Sequence, residues 1–314
     1  MKKLINICLF ILLYCVLALN AIAQPDTLSF LHITDLHVIF NLDAYQKDLA
    51  QSRKHFGQGS VPLKQFLKTM PRKTNSNLVI ATGDLVDFYE GEARNGGMPD
   101  LQVEHFSHLI RACKVPVLLT LGNHDISAYG WKDSLRTATQ NVAGQARASW
   151  MRSIPCFRNG TCYSRVFEVR GRTYRLIFLD NGYNTVLQGE HGMLPYIDKA
   201  QLNWMRDQLE QSPDDVEIVL MHLPLTSTAA MSGSTNEIYT VLANHPSARM
   251  ILAGHNHKNA IQGFSTNEYN KIVQVQTGAF GQNPESWRLI KLTKENILVS
   301  FPGKTETELI IPVK

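Results

Sequence analysis

Short apolar runs alternate with longer amphipathic stretches along most of the chain. LSFLHIT (28–34), NLVIAT (77–82) and VPVLLTL (115–121) have strand length and polar borders. Between the first two, the polar segment 43–70 predicts helical pieces on both sides of GQGSVP. MPDLQVEHFSHLIRACK (98–114) predicts another helix. YSRVFEV and TYRLIFLD predict strands around a turn at Arg170–Arg172. DKAQLNWMRDQLEQS predicts a helix: Asp198 can cap it, Gln201 follows three residues on, and Leu202, Met205 and Leu209 form one stripe. VEIVLMH (216–222), STNEIYTVLANH and ARMILAGH continue as strand, helix and strand, and the tail reads as strands only. Apolar strands joined by helices imply parallel or mixed sheets covered on their faces. No Pro/Gly/Ser-rich linker interrupts 24–314, so the expectation is a single domain.

The N-terminus breaks this rhythm. Two lysines precede an apolar run from Leu4 to Leu19, and AIA precedes Gln24. That order predicts a signal peptide over 1–23, cleaved after Ala23, and a periplasmic or extracellular mature chain. An uncleaved anchor is the alternative, because the run approaches the length of a membrane span; the Ala-x-Ala pattern decides for cleavage. A lipoprotein signal ending at Cys15 would set bulky Tyr14 where a small residue is needed. No later stretch is long and apolar enough to cross a bilayer.

Composition adds limits. Apolar residues make up 44% and charged residues 18%, enough to bury a large core without disulfides. The net charge is +4, of which two units come from Lys2 and Lys3. That is too little for a bulk electrostatic grip on nucleic acid or membrane. Export would place Cys113, Cys156 and Cys162 in an oxidising setting. A two-residue hairpin at the Asn-Gly of CFRNGTC would pair Cys156 with Tyr163, so a Cys156–Cys162 disulfide needs a wider loop; unpaired, buried cysteines are the alternative. No Cys-x-x-Cys or Cys-x-x-His spacing marks cysteine as a metal ligand.

The polar residues with chemical potential stand at strand exits, where α/β sheets gather functional groups. Asp35 and His37 follow the first strand and Asp84 the second. Asn123, His124 and Asp125 follow the third, His222 ends a later one, and His255 and His257 follow another. In extended backbone, side chains two residues apart share a side, so each of the pairs Asp35/His37 and His255/His257 is expected to face one place. Singly, each residue has an ordinary turn or surface reading; five exits in order read as one site. Two Asp, one Asn and four or five His exceed the needs of one divalent ion. A pair of ions sharing a carboxylate fits better, and imidazole-rich ligation suits Mn, Zn or Fe above Mg or Ca.

The blocks DLH (35–37), GDLVD (83–87), GNHD (122–125), His222 in MHLPL, and GHNH (254–257) resemble, in order, the pattern of the calcineurin-like metallophosphoesterase family. LDN followed by GMLPYIDKAQLNWMRDQL is similar to the branch holding class III cyclic-nucleotide phosphodiesterases. The resemblance implies a four-layer α/β/β/α sandwich, with two mixed β-sheets flanked by helices and a dinuclear site. It implies one ion on Asp35, His37, Asp84 and His257, and a second on Asp84, Asn123, His222 and His255. A bridging hydroxide would attack phosphorus in line. His124 would protonate the leaving oxygen or bind phosphate, Asp125 would orient His124 or keep it charged or else only cap its loop, and Asp87 would hydrogen-bond a ligand. Members with a purple iron centre carry Tyr where this chain has Asp87, which argues against a tyrosinate–iron site. The context of GNHD and MHLPL leans towards small phosphodiesters; a phosphomonoesterase or nucleotidase would use the same site. A non-catalytic metal- or partner-binding module is the reading of another class, and the complete ligand set argues against it. Tyr129, Trp131, Tyr183 and Tyr196 would stack on a base or pack in the core. Oligomeric state stays open.

Overall fold

The computed structural model describes residues 25–56, 59–132, 135–182, 188–189, 192–193, 197–212, 215–225, 234–265 and 271–313. The expected signal peptide, 1–23, lies outside them. In chain order the first strands are β1 (Leu28–Ile33), β2 (Leu78–Thr82), β3 (Glu90–Gly91), β4 (Val117–Thr120), β5 (Ala128–Lys132) and β6 (Leu135–Thr139). Next come β7 (Tyr163–Val169), β8 (Arg172–Phe178), β9 (Gln188–Gly189), β10 (Gly192–Met193), β11 (Val216–Leu220) and β12 (Ala248–Ala253). The last are β13 (Ala260–Ser265), β14 (Lys271–Gln276), β15 (Arg288–Leu292), β16 (Asn296–Ser300) and β17 (Thr307–Pro312). The helices are α1 (Lys47–Arg53), α2 (Ser60–Thr74), α3 (Gln102–Ile110), α4 (Ala143–Ser153), α5 (Lys199–Glu210) and α6 (Ser234–Ala243).

Two six-stranded sheets form the centre, in the orders β17-β16-β15-β1-β2-β4 and β13-β14-β12-β11-β8-β7. Both are mixed. β1, β2 and β4 pair in parallel, as do β8, β11, β12 and β14, while β7, β13, β15, β16 and β17 pair antiparallel. Parallel neighbours need crossovers, which helices supply except between β12 and β14, where β13 intervenes; the strand-only tail turns back on itself in hairpins. Period-two alternation shows the layering. Leu176, Phe178, Ile218, Leu220, Met250 and Leu252 join the large core shared with the first sheet. Ile177, Val219 and Ile251, one residue along, pack with Leu202, Met205 and Leu209 of α5. Leu63 and Phe66 of α2, Phe106 of α3 and Trp150 of α4 extend the core on the first sheet's side. This is the four-layer arrangement of two mixed sheets between helices that the resemblance implied.

Some elements differ from the sequence reading. α2 begins inside GQGSVP, because Pro62 falls in its first turn, where proline leaves no helical hydrogen bond unmade. α3 is shorter than 98–114: its last turn gives way before Val115, whose following proline disfavours helix. β13, α4 and the β3-β5-β6 sheet were not predicted. The capping of α5 is as expected, with the Asp198 side chain accepting from the Gln201 amide at 2.8 Å. All three cysteines among the described residues are free, so Cys156 and Cys162 form no disulfide. Cys156 is buried in the 3₁₀ turn Pro155–Phe157, and that burial pushes its thiol pKa up.

Candidate metal centre

β1, β2, β4, β11 and β12 run their carboxyl ends to one edge between the sheets, and the candidate residues leave from there. Several do so in strained backbone. Of eight non-glycine residues with positive φ among the described residues, five are Asp35, Asp84, His37, His255 and His257, at 45° to 71°. The left-handed region costs such residues about 1 kcal/mol or more each, and strain of this kind concentrates at functional sites. Main-chain bonds lock the exits together: the Asp35 amide donates to the Gly83 carbonyl at 3.1 Å, and the His37 amide to the Asp84 carbonyl at 2.8 Å.

The geometry corrects the expectation drawn from extended backbone. His255 and His257 are left-handed, not extended, and join different clusters. Ligand atoms of Asp35, His37, Asp84 and His257 lie within 4.8 Å of one another, as do those of Asp84, His222 and His255. Asp84 belongs to both. Its Oδ2 is 3.5 Å from Nε2 of His37 and 3.1 Å from Nε2 of His222. His257 Nε2 is 3.4 Å from Asp35 Oδ1 and 3.1 Å from His37 Nε2. Close approach is why glycine stands at two exits. A Cβ on Gly122 would lie 2.2 Å from Asp84 Oδ1, and one on Gly83, whose φ is +82°, would lie 2.6 Å from His222.

Electrostatics follow from this crowding. Burial works against the Asp84 carboxylate, but the imidazoles of His222 and His124 hold its pKa well below the usual range. Burial opposes the charged form of His222, yet Asp84 pushes its pKa up to about 9. His255 goes the other way, to about 4, chiefly through burial. Burial likewise opposes the Asp35 carboxylate, and His257 and His222 outweigh it.

The donor set fits divalent cations. Asn123 Oδ1 is buried without a hydrogen-bond partner, a rare condition for polar atoms in folded proteins, and the buried His222 Nε2 has only the Asp84 carboxylate beside it, at 3.1 Å. The two Nε2 atoms of His37 and His257 face each other across 3.1 Å, where at most one can donate. Mixed nitrogen and oxygen donors suit Mn, Zn or Fe. Asp87 also lies near His37 and His124, but its carboxylate is engaged by Arg53 and by Nδ1 of His37 at 2.9 Å.

His124 is 17% exposed, at the mouth of the cleft. Its Nδ1 is 2.8 Å from the Asp87 carbonyl and 3.0 Å from the Tyr129 hydroxyl, and its amide donates to Asp84 Oδ1 at 3.0 Å. Asp125 does not orient that ring, so its expected catalytic role gives way to the loop-capping alternative. Its Oδ1 accepts from the Leu85 and Val86 amides at 2.8 and 2.9 Å, and its Oδ2 from the Gly122 amide at 2.7 Å. It ties the second exit to the third; burial, then Asp84, push its pKa up to about 8. Tyr129 is buried against Phe88 and bonds His124, and the half-buried Trp131 packs on the same cluster, the packing role expected as one alternative for both. Tyr183 and Tyr196 lie outside the described residues.

Several supporting residues were not foreseen. The Thr82 carbonyl is 2.8 Å from Nδ1 of His222, and Asn181 Oδ1 accepts from the His222 amide at 2.9 Å. Gln282 Nε2 is 3.1 Å from Nδ1 of His257, Phe56 stacks on His37, and Arg53 pairs with Asp87. No helix among the described residues is long and apolar enough to cross a membrane.

A family model described as calcineurin-like phosphoesterase matches residues 28–259. A curated relative, the 3',5'-cyclic adenosine monophosphate phosphodiesterase CpdA of Escherichia coli (strain K12), is 25% identical over 194 residues. That match covers 60% of this chain and 57% of the relative. Among solved structures, a dimetal phosphatase from Danio rerio superposes with a TM-score of 0.66 at 16% identity, over 93% of this chain and 100% of that one. GAP50, titled the anchor in the inner membrane complex of Plasmodium, has a TM-score of 0.52 at 15% identity, covering 92% of this chain and 89% of its own. These two likenesses concern the fold.

Proposed function

The chain belongs to the calcineurin-like phosphoesterase family, and from that premise we propose that it is an exported, dinuclear metal-dependent hydrolase of small phosphodiesters. The observation that carries the reading is the pair of ligand clusters joined at Asp84. Asp35, His37, Asp84 and His257 would hold one cation; Asp84, Asn123, His222 and His255 would hold the other. When bound, two divalent ions supply positive charge that acidifies water and neutralises phosphate oxygens.

The protein's own part is orientation and proton transfer. With Nδ1 of His37 engaged by Asp87 and Nδ1 of His222 by a carbonyl, both rings turn Nε2 to the cleft. Asp125 fixes three amides and so keeps the Asp84 and Asn123 exits in register. His124, held at Nδ1, presents Nε2 to the substrate and protonates the leaving oxygen. A diester with an alkoxide leaving group needs that proton. The diester reading is supported by the name of the Escherichia coli relative and by the GNHD and MHLPL contexts.

The test combines metal analysis of the purified protein with turnover of bis-(4-nitrophenyl) phosphate and of 4-nitrophenyl phosphate. The expected result is two ions per chain and faster diester hydrolysis. A strong monoester preference would move the assignment to a phosphomonoesterase or nucleotidase. Two bound ions with no turnover of either ester would point to a narrow natural substrate and leave these two probes unsuited to it.

A further inference from the structure

Arg53 closes α1 and reaches a carboxylate far along the chain. Its Nε donates to Asp87 Oδ2 at 2.7 Å, and its Nη2 contacts Asp87 Oδ1. This two-pronged contact is the geometry a guanidinium makes with a carboxylate and an ammonium cannot. Asp87 is fully buried, and its Oδ1 stands 2.9 Å from Nδ1 of His37. Arg53, Asp87 and His37 thus form a chain that ends at the cleft.

The guanidinium also lies 5.0 Å from the Phe56 ring centre and 5.9 Å from that of Tyr129. Phe56 stacks on His37 with centroids 4.4 Å apart, and Tyr129 bonds Nδ1 of His124. One side chain therefore braces the supports of two site histidines. A buried carboxylate stays ionised only when paired, and a guanidinium does not give up its proton. Beside Arg53, Asp87 remains an acceptor. His37 then carries its hydrogen on Nδ1 and turns the Nε2 lone pair to the cleft.

We propose that Arg53 is a positioning residue of the half-site made by Asp35, His37, Asp84 and His257. Through Asp87 it fixes the tautomer and ring orientation of His37, and so sets how tightly that half-site holds its cation. The inference rests on the dinuclear reading above.

The test uses the full chain, freed of metal by chelation and titrated with Mn²⁺ alone in equilibrium dialysis. Arg53→Ala should weaken one of the two bound ions by about tenfold or more and change the other less than about threefold, the range typical for lost support of a metal ligand. Arg53→Lys should recover part of that affinity, since an ammonium pairs with Asp87 but cannot fork. Saturating Mn²⁺ should restore most of the kcat of both variants. Two unchanged affinities in both variants would overturn the proposal, and so would equal weakening of both ions, because the effect would not belong to one half-site. If Arg53→Ala loses its circular-dichroism signature, Arg53→Lys decides by the same criteria. Asp84→Ala separates the premises: if it keeps two ions as tightly as wild type, the dinuclear reading fails; if it loses them while Arg53→Ala does not, only the role of Arg53 fails.

Discussion

The two halves of the centre both combine carboxylate and imidazole groups but rest on different supports. Around His37 the backing is charged: a buried carboxylate, Asp87, itself clamped by Arg53. In that half His257 is 27% exposed and touched by Gln282. Around His222 the backing is neutral main chain and amide, from Thr82 and Asn181, and the ring is fully buried. A carboxylate raises the basicity of the imidazole it faces, while a carbonyl mainly fixes its direction. The first half should therefore respond to side-chain charge, and the second to the placement of its strands.

Asp84 belongs to both halves, so its loss should erase the comparison. Asp84→Ala is expected to lower hydrolysis by more than about 10³-fold and to reduce metal stoichiometry, as several kcal/mol of charge stabilisation go with it. Atomic absorption beside steady-state rates would read both effects. His124→Ala should leave two ions bound and still lower kcat about 10²- to 10⁴-fold. The loss should be smaller for a 4-nitrophenolate leaving group than for an alkyl one; an equal loss would count against proton donation. Asp87→Asn should weaken one ion about 10- to 100-fold, whereas Asn181→Ala should act on the other. Were both substitutions to weaken the same ion in competition with a chelator, the assignment of supports to halves would be wrong.

The smallest expected effects lie beneath the halves, in two buried groups with opposite pH slopes. Under the first half, His32 is held between Thr82 and Thr277 at 2.8 Å each, and burial, helped by Arg288, lowers its pKa from 6.5 to about 3. Between those values the unfolded chain binds more protons, so stability falls as pH drops from 6.5 towards 3. At the amino end of β11, burial raises Glu217 from 4.5 to about 7. There the folded chain binds more protons, so stability falls as pH rises through that window. Glu217→Gln should remove the second slope and raise stability at pH 8 by about 1–2 kcal/mol. Urea melts of the metal-free chain at pH 5 and pH 8 check this; an unchanged difference between them would show that Glu217 contributes no slope.

Legibility in the sequence divided along physical lines. The central strands were visible because burial on both faces demands unbroken apolar runs, and the motif residues because they sit directly beyond those runs. β5, with AYGWK, and β6, with LRTAT, belong to a small outlying sheet, where burial imposes no such pattern. The spacing argument for His255 and His257 brought both to the centre through a backbone they do not adopt. Arg53 carried no signal, because its partner lies 34 residues away with no periodicity to connect them. Asp125 was placed in the right loop with two roles open, since sequence order cannot tell a ring neighbour from three backbone amides.

The sequence by itself determined which residue types gather at the strand exits and the order in which they come, because strand burial and ligand chemistry are local demands written in composition and spacing. The grouping of the histidines and the sharing of Asp84 were implied by family resemblance and given distances by the tertiary structure, which alone decided what stands behind each ring. Those are distances between segments far apart in the chain, and they are set when two sheets close on a common core.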